Sequence, residues 1–153
     1  MCAVGRFAYP PLVGTNDKAT GLGDRAVRPR ACIVDDHAAV RQWLTKRLES
    51  LGVEVCGVAE TLEEGLAALT SQRPDLAVVD NRLPDGRGID LCREVSAQQP
   101  AMTLILHTGL ISPLEETQAR EAGVTRVALK SIQGDDLLAA VEEFAVRYRA
   151  AGD

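Results

Sequence analysis

The sequence predicts an α/β domain built on a parallel sheet with helices on both faces. Three observations carry that reading. From Ala31 onward, short apolar runs alternate with stretches whose apolar residues recur at helical spacing. The run Leu76 to Val79 is apolar on both faces, as expected for a strand inside a parallel sheet. The first, third, fourth and fifth runs end at Asp35 and Asp36, Asp80, Thr108 and Lys130, which places chemistry at one edge of the sheet.

The first strand is "ACIV" (31–34), and Val40, Leu44, Leu48 and Leu51 then mark an amphipathic helix with Trp43 packing beside its stripe. "VEVCGVA" (53–59) is the second strand. "TLEE" (61–64) has the form of a capping box and opens a helix carrying Leu62, Leu66 and Leu69. The third strand, "LAVVD" (76–80), runs four apolar residues into a carboxylate and breaks into a Pro/Gly turn. A helix over about 89–97 follows, with Leu91 and Val95 on its apolar side. "TLILHT" (103–108) is the fourth strand. "SPLE" (112–115) gives an N-cap Ser, Pro at the first helical position and Glu three residues on, so a helix starts there, although its apolar face is thin. "RVALK" (126–130) is a short fifth strand. Leu137, Leu138, Val141, Phe144, Ala145 and Tyr148 mark a strong final helix. Five strands alternating with five helices imply right-handed crossovers and a doubly wound parallel sheet.

Charge and composition set bounds on partners. Of 153 residues, 46% are hydrophobic, enough for one domain with a sizeable core. Residues 1–30 hold five basic and two acidic residues, whereas 31–153 hold twelve basic and twenty acidic. The folded part is therefore acidic, which argues against nucleic-acid binding through phosphate contacts. Residues 1–29 mix Pro, Gly, Asn and Asp without sustained periodicity and read as a flexible N-terminal tail ahead of a domain over 30–150. "GLGDRA" (21–26) formally fits a dinucleotide-binding pattern, but polar residues precede it where a strand is required, and Pro29 interrupts the helix that should follow. Cys2, Cys32, Cys56 and Cys92 show no zinc-site spacing, and three lie in apolar segments as small hydrophobes. No run reaches membrane-spanning length and no signal-peptide core is present, so a cytoplasmic protein without membrane contact is expected.

In doubly wound sheets ligands bind at the carboxyl ends of the strands. Here those ends carry Asp35 and Asp36, Asp80, Thr108 and Lys130. Clustered carboxylates raise one another's pKa and call for a cation, and an all-oxygen donor set suits Mg²⁺. A phosphoryl group could then transfer onto a carboxylate, with the Lys130 ammonium and Thr108 hydroxyl on its oxygens. Asp80 at the tip of a buried strand would be the nucleophile.

"VDDH", "VVDNRLPDGRG", "LHTG" and "ALKS", in that order, resemble the response regulator receiver domain of two-component signalling over about residues 30–148. The resemblance implies a flavodoxin-like (CheY-like) fold with strand order 2-1-3-4-5. It further implies that Asp80 accepts a phosphoryl group from a sensor histidine kinase or phosphotransfer protein. Mg²⁺ would be held by Asp35, Asp36, Asp80 and the backbone carbonyl of Arg82, with Thr108 and Lys130 contacting the phosphoryl group. Pro84 and Gly88 match the turn after the acceptor. A downstream protein target would be met through the face of helix four, strand five and helix five, and a homodimer is compatible with the reading. "VDDHAAVR" and "LKS" are similar to the receivers usually joined to a helix-turn-helix. No such module follows before Asp153, so a stand-alone receiver without direct DNA binding is expected, and not an enzyme beyond its own phosphoryl acceptance and dephosphorylation. Two positions depart from the pattern. Ser131 follows Lys130 where most receivers have Pro. Val127 stands where a Tyr or Phe usually responds to the threonine, so the resemblance does not carry an aromatic switch over to this chain.

Other readings compete. Asp36 could simply cap the first helix, and His37 and His107, without ligand-spaced partners, read as structural. The charged run "LEETQAREAG" could be only a solvated helix face. A pseudo-receiver that signals without phosphorylation is the alternative function. An aspartyl phosphohydrolase would need an acid two residues after the nucleophile, where Arg82 stands. A flavin protein would need a phosphate-binding loop after the first strand, and none is there.

Overall fold

The computed structural model describes residues 27–152. The tail reading, the dinucleotide-like "GLGDRA" and Cys2 lie outside the described residues except for positions 27–29. The elements follow as β1 (Arg30–Val34), α1 (Ala38–Ser50), β2 (Glu54–Ala59), α2 (Leu62–Gln72), β3 (Leu76–Asp80), β4 (Arg82–Leu83), β5 (Gly86–Arg87), α3 (Gly88–Gln98), β6 (Thr103–Thr108), α4 (Pro113–Glu121), β7 (Arg126–Leu129) and α5 (Asp135–Gly152). The main sheet is parallel in the order β2-β1-β3-β6-β7. Leaving out the two-residue strands β4 and β5, which form a separate antiparallel hairpin, this is the expected order 2-1-3-4-5.

Side chains alternate across the sheet, and the alternation divides the core into two layers. Cys32, Val34, Ala77, Val79, Leu104 and Leu106 face α2, α3 and α4. Ala31, Ile33, Leu76, Val78, Ile105 and Ala128 face α1 and α5. Each layer is closed by buried apolar side chains: Leu69, Leu91 and Val95 on the first side, Leu44, Leu48 and Phe144 on the second.

The caps refine the sequence reading. Ser112 and Glu115 form a full capping box at α4. At α2 the box is only half made: Thr61 accepts from the Glu64 amide, but the Glu64 carboxylate reaches past it to the Glu60 amide. At α1 the N-cap position belongs to His37, not Asp36, and it is the Asp35 carboxylate that accepts from the His37 amide at 2.9 Å. The α4 helix has a single buried residue, Ala119, consistent with its thin apolar face. Gly134 adopts φ of 70° in the loop before α5, and a side chain there would run into the ring of half-buried Trp43.

Candidate functional site

Four strands deliver the site. Asp35 directly follows β1, Asp80 and Thr108 are the last residues of β3 and β6, and Lys130 directly follows β7. The strand crossovers reverse direction between β1 and β3, which leaves a crevice at their carboxyl ends. Asp35 and Asp80 are 1% and 4% exposed, so both carboxylates sit where ionisation is costly unless it is compensated.

The compensation is one ammonium shared by two acids. Lys130 Nζ lies 3.2 Å from Asp35 Oδ2 and 3.2 Å from Asp80 Oδ2. It forms a hydrogen bond to Asp80. Towards Asp35 it has ion-pair distance without hydrogen-bond geometry, and Asp35 Oδ2 accepts no hydrogen bond. Asp80 Oδ1 accepts from the Arg82 amide at 3.2 Å, so the backbone two residues on is held against the carboxylate. Burial, followed by the nearby Asp35 charge, pushes the Asp80 carboxyl up, outweighing the Arg82 amide and Lys130, which pull it down. Burial works against the charge on Lys130, but Asp35 and Asp80 together hold its pKa above the ordinary value. The two directions agree: one cation faces an excess of negative charge.

Asp36 joins from the loop, half-buried, and its Oδ1 also lacks a hydrogen bond. The structure adds His37, whose Nδ1 lies 3.1 Å from Asp36 Oδ1 and 3.2 Å from Asp35 Oδ1. One ligand atom from each of Asp35, Asp36, His37 and Asp80 lies within 4.8 Å of all the others. Buried carboxylate oxygens without donors are what a divalent cation would satisfy, and three carboxylates form a hard oxygen set that fits Mg²⁺. The imidazole is a softer donor that Mg²⁺ does not prefer.

Thr108 is fully buried and its hydroxyl donates to the Leu110 carbonyl at 3.3 Å, within its own loop. Its carbonyl accepts from the Lys130 amide at 2.8 Å, which fixes the two strand ends side by side. Val127 is half-buried and packs with Ile111 against the layer below α4. Gly88 opens α3 where a Cβ would run into the Asp80 carbonyl. Asn81, buried, accepts from the Ile89 amide through Oδ1.

Sequence reasoning missed several contacts that shape this edge. Arg41 Nη1 donates to the Asp35 carbonyl at 2.8 Å. Asp85, in the hairpin turn, accepts from the Leu62 and Glu63 amides at 2.7 and 3.1 Å and so caps α2 from outside. Those bonds, the Leu62 amide first, hold its carboxyl below the usual range. His107, in register with Asp80, is buried with Nδ1 unpartnered, and burial with the Lys130 charge pushes it down to about 4. Only local signals exist in sequence for these residues, and the partners lie on other elements.

Comparison with known proteins matches the chain to a family. Residues 31–142 match the response regulator receiver domain. The chain is 37% identical over 112 residues to the DNA-binding transcriptional activator DevR/DosR of Mycobacterium tuberculosis, covering 72% of this chain and 52% of that protein. It is 31% identical over 126 residues to the transcriptional regulatory protein PdtaR of the same species, covering 82% of this chain and 61% of that one. It thus spans about half to three fifths of the length of these relatives. A CheY-like receiver domain protein from Methanospirillum hungatei superposes with a TM-score of 0.75 at 30% identity, covering 82% of this chain and 99% of the other. Among the described residues no helix is long and apolar enough to cross a membrane. With its five-stranded CheY-like sheet and this match, the chain belongs to the response regulator receiver domain family of two-component systems.

Proposed function

We propose that this chain is a phosphorylatable receiver in a two-component phosphorelay, with Asp80 as the acceptor. The observation that carries the reading is the single Lys130 ammonium shared between two buried carboxylates, with oxygens of Asp35 and Asp36 that accept no hydrogen bond. Asp35, Asp36, Asp80 and the Arg82 carbonyl would hold Mg²⁺, which when bound supplies positive charge against phosphoryl oxygens. The donor is the phosphohistidine of a sensor histidine kinase or phosphotransfer protein. An Asp80 carboxylate oxygen attacks phosphorus, the P–N bond breaks, and the imidazole leaves. Lys130 transfers its contact from the carboxylate to a phosphoryl oxygen. Thr108 exchanges its 3.3 Å bond to Leu110, long for a hydroxyl donor, for a phosphoryl oxygen, which frees the loop after β6.

The output reading rests on the edge formed by α4, β7 and α5, where Leu110, Leu114 and Ile132 are 71%, 67% and 96% exposed. A downstream protein or a second copy of the chain would cover such apolar side chains. The relatives named above are DNA-binding or transcriptional regulators by description, and the present chain would act in the cytoplasm through protein contacts. A second reading, a pseudo-receiver that binds its target without phosphorylation, is favoured by Val127, whose volume is too small to report a movement of Thr108.

Intact mass after incubation with acetyl phosphate separates the two. A phosphoryl adduct that requires Mg²⁺ and vanishes in Asp80→Asn is expected. No adduct on the wild type under any Mg²⁺ concentration would leave the pseudo-receiver.

A further inference from the structure

On the face of the sheet away from Lys130, Cys32 and Cys56 stand side by side on β1 and the edge strand β2. Their sulfurs are 3.7 Å apart. The two strands run in parallel register from Arg30 opposite Glu54, and the register slips by one between Ala31 and Cys32. The slip leaves Cys56 as the extra residue between the partners of Ala31 and Cys32, with its thiol directed at the Ala31 carbonyl at 3.4 Å. Both thiols belong to the layer under α2. Opposite Cys32 is Gly57, where a Cβ would lie only 3.2 Å from Cys32 Sγ, so the absence of a side chain gives that sulfur room to turn.

We propose that Cys32 and Cys56 are a redox modification site that closes to an intramolecular disulfide when the protein meets a peroxide. The geometry asks for little. A pair offset by one residue, about 3.3 Å, across strands about 4.8 Å apart has its Cα atoms about 5.8 Å apart, inside the ~4.4–6.8 Å range that disulfides span. Bringing the sulfurs from 3.7 Å to about 2.05 Å is a rotation of side chains, not a rearrangement of strands. The two cysteines differ in access. Cys32 is fully buried, and burial together with Cys56 pushes its thiol up to about 12, so it keeps its proton. Cys56, only partly buried and on an edge strand, is the one that meets the oxidant.

The Cys56 sulfur attacks a peroxide oxygen, the O–O bond breaks, and Cys56 becomes a sulfenic acid with loss of one water or alcohol. The Cys32 sulfur then attacks the Cys56 sulfur, the S–O bond breaks, and water leaves with the Cys32 proton. The two thiols together give up two electrons and the peroxide takes them. Cys92, fully buried and without a thiol neighbour among the described residues, stays reduced.

The test treats the full chain, reduced and then freed of reductant, with a small excess of hydrogen peroxide under native conditions, followed by alkylation and tryptic mapping. The expected product has lost two hydrogens and yields peptide 31–41 joined to peptide 48–82, while peptide 88–93 carries an alkylated Cys92. Dithiothreitol should restore the starting mass. Cys32→Ser should leave Cys56 as a sulfenic acid that a dimedone probe captures, and Cys2→Ser should form the same linked pair as wild type. Linkage of Cys56 to Cys2 or Cys92, covalent dimers in place of the internal bridge, a linked pair that forms only in denaturant, or oxidation that leaves both thiols unbridged would each overturn the proposal.

Discussion

Arg87 Nη1 donates to Gln118 Oε1 at 3.0 Å, joining the hairpin that follows Asp80 to the middle of α4. The same guanidinium is paired with Asp90 at 3.3 Å, so it is held in place from the α3 side. Since α4 buries little of its own surface, a single tether to the acceptor loop is a sizeable share of what fixes it. A partly exposed hydrogen bond contributes roughly 0.5–1 kcal/mol, so Arg87→Ala should speed amide exchange in 113–121 about two- to fivefold. With a beryllofluoride phosphoryl mimic, wild type should change protection both at the site and in α4. Equal α4 exchange in wild type and Arg87→Ala would show that hairpin and helix are uncoupled.

Gly88→Ala should be costly. The new methyl would meet the Asp80 carbonyl and come within 2.8 Å of Val79 Cγ1, with backbone on one side and a packed strand on the other. Overpacking of this kind costs about 1–3 kcal/mol, a fall in Tm of roughly 3–10 °C. Gly109→Ala, where nothing lies within 4 Å of the added carbon, is the matched control and should shift Tm by less than about 2 °C. Similar melting temperatures for the two variants would contradict the packing argument.

Asp80→Asn should raise stability when no divalent cation is present. Folding raises the Asp80 carboxyl, burial first and Asp35 next among the causes that push it up, so the native state holds that proton more tightly than the unfolded chain. The stability this carboxyl contributes is present in acid and lost as pH rises through its titration, and at neutral pH the ionised group opposes folding. The amide removes that opposition, and a Tm gain of about 2–5 °C at pH 7.5 with chelator is expected. Adding Mg²⁺ should stabilise wild type more than Asp80→Asn, by thermal melts at matched ionic strength. A lower Tm for the variant in chelator would mean that the Lys130 pair outweighs burial.

His107 sets an opposite trend. Buried against Lys130, it titrates at about 4 in the folded chain, well below the usual 6.5. Below pH 6.5 the unfolded chain takes up a proton that the native state refuses, so this contribution to stability is lost as pH falls from 6.5 towards 4. His107→Gln should flatten that part of the curve, by about 1–3 kcal/mol at its acid end. Denaturant melts of both proteins from pH 7 to pH 4.5 measure it, and parallel curves would place His107 in water.

What the sequence made legible is what periodicity and strand ends encode. Asp35, Asp36, Asp80, Thr108 and Lys130 each follow an apolar run, and the alternation of strands with helices brings those ends to one edge. The Ser112 box was legible because all its parts lie within four residues. The hairpin of β4 and β5 was not, since two-residue strands carry no period. Nor were His37 in the acidic cluster, Asp85 on the α2 amides or Arg87 on Gln118, where a charged side chain finds a partner that only tertiary structure brings near. Cys32 and Cys56 read as two unrelated core residues because a one-residue slip in the ladder, invisible in sequence, sets their alignment.

The division of the core into two layers has a consequence for how the edge is assembled. Counting along the strands, Asp35, Asp80, His107 and Lys130 continue the alternation of Ile33, Val78, Ile105 and Ala128 and belong to the layer of α1 and α5. Thr108 continues Leu104 and Leu106 and belongs to the other. Within the sheet the backbone is a wall, and a side chain on one side has no line of sight to the other. The charged groups and the hydroxyl can meet only past the last residue, where the wall ends. A substitution deep in either layer can therefore alter that layer's packing while leaving the other's untouched, but any residue added or lost near the end of β3 or β6 would trade one compartment's occupants for the other's. Length at those two strand tips, more than composition, is what the chain must preserve.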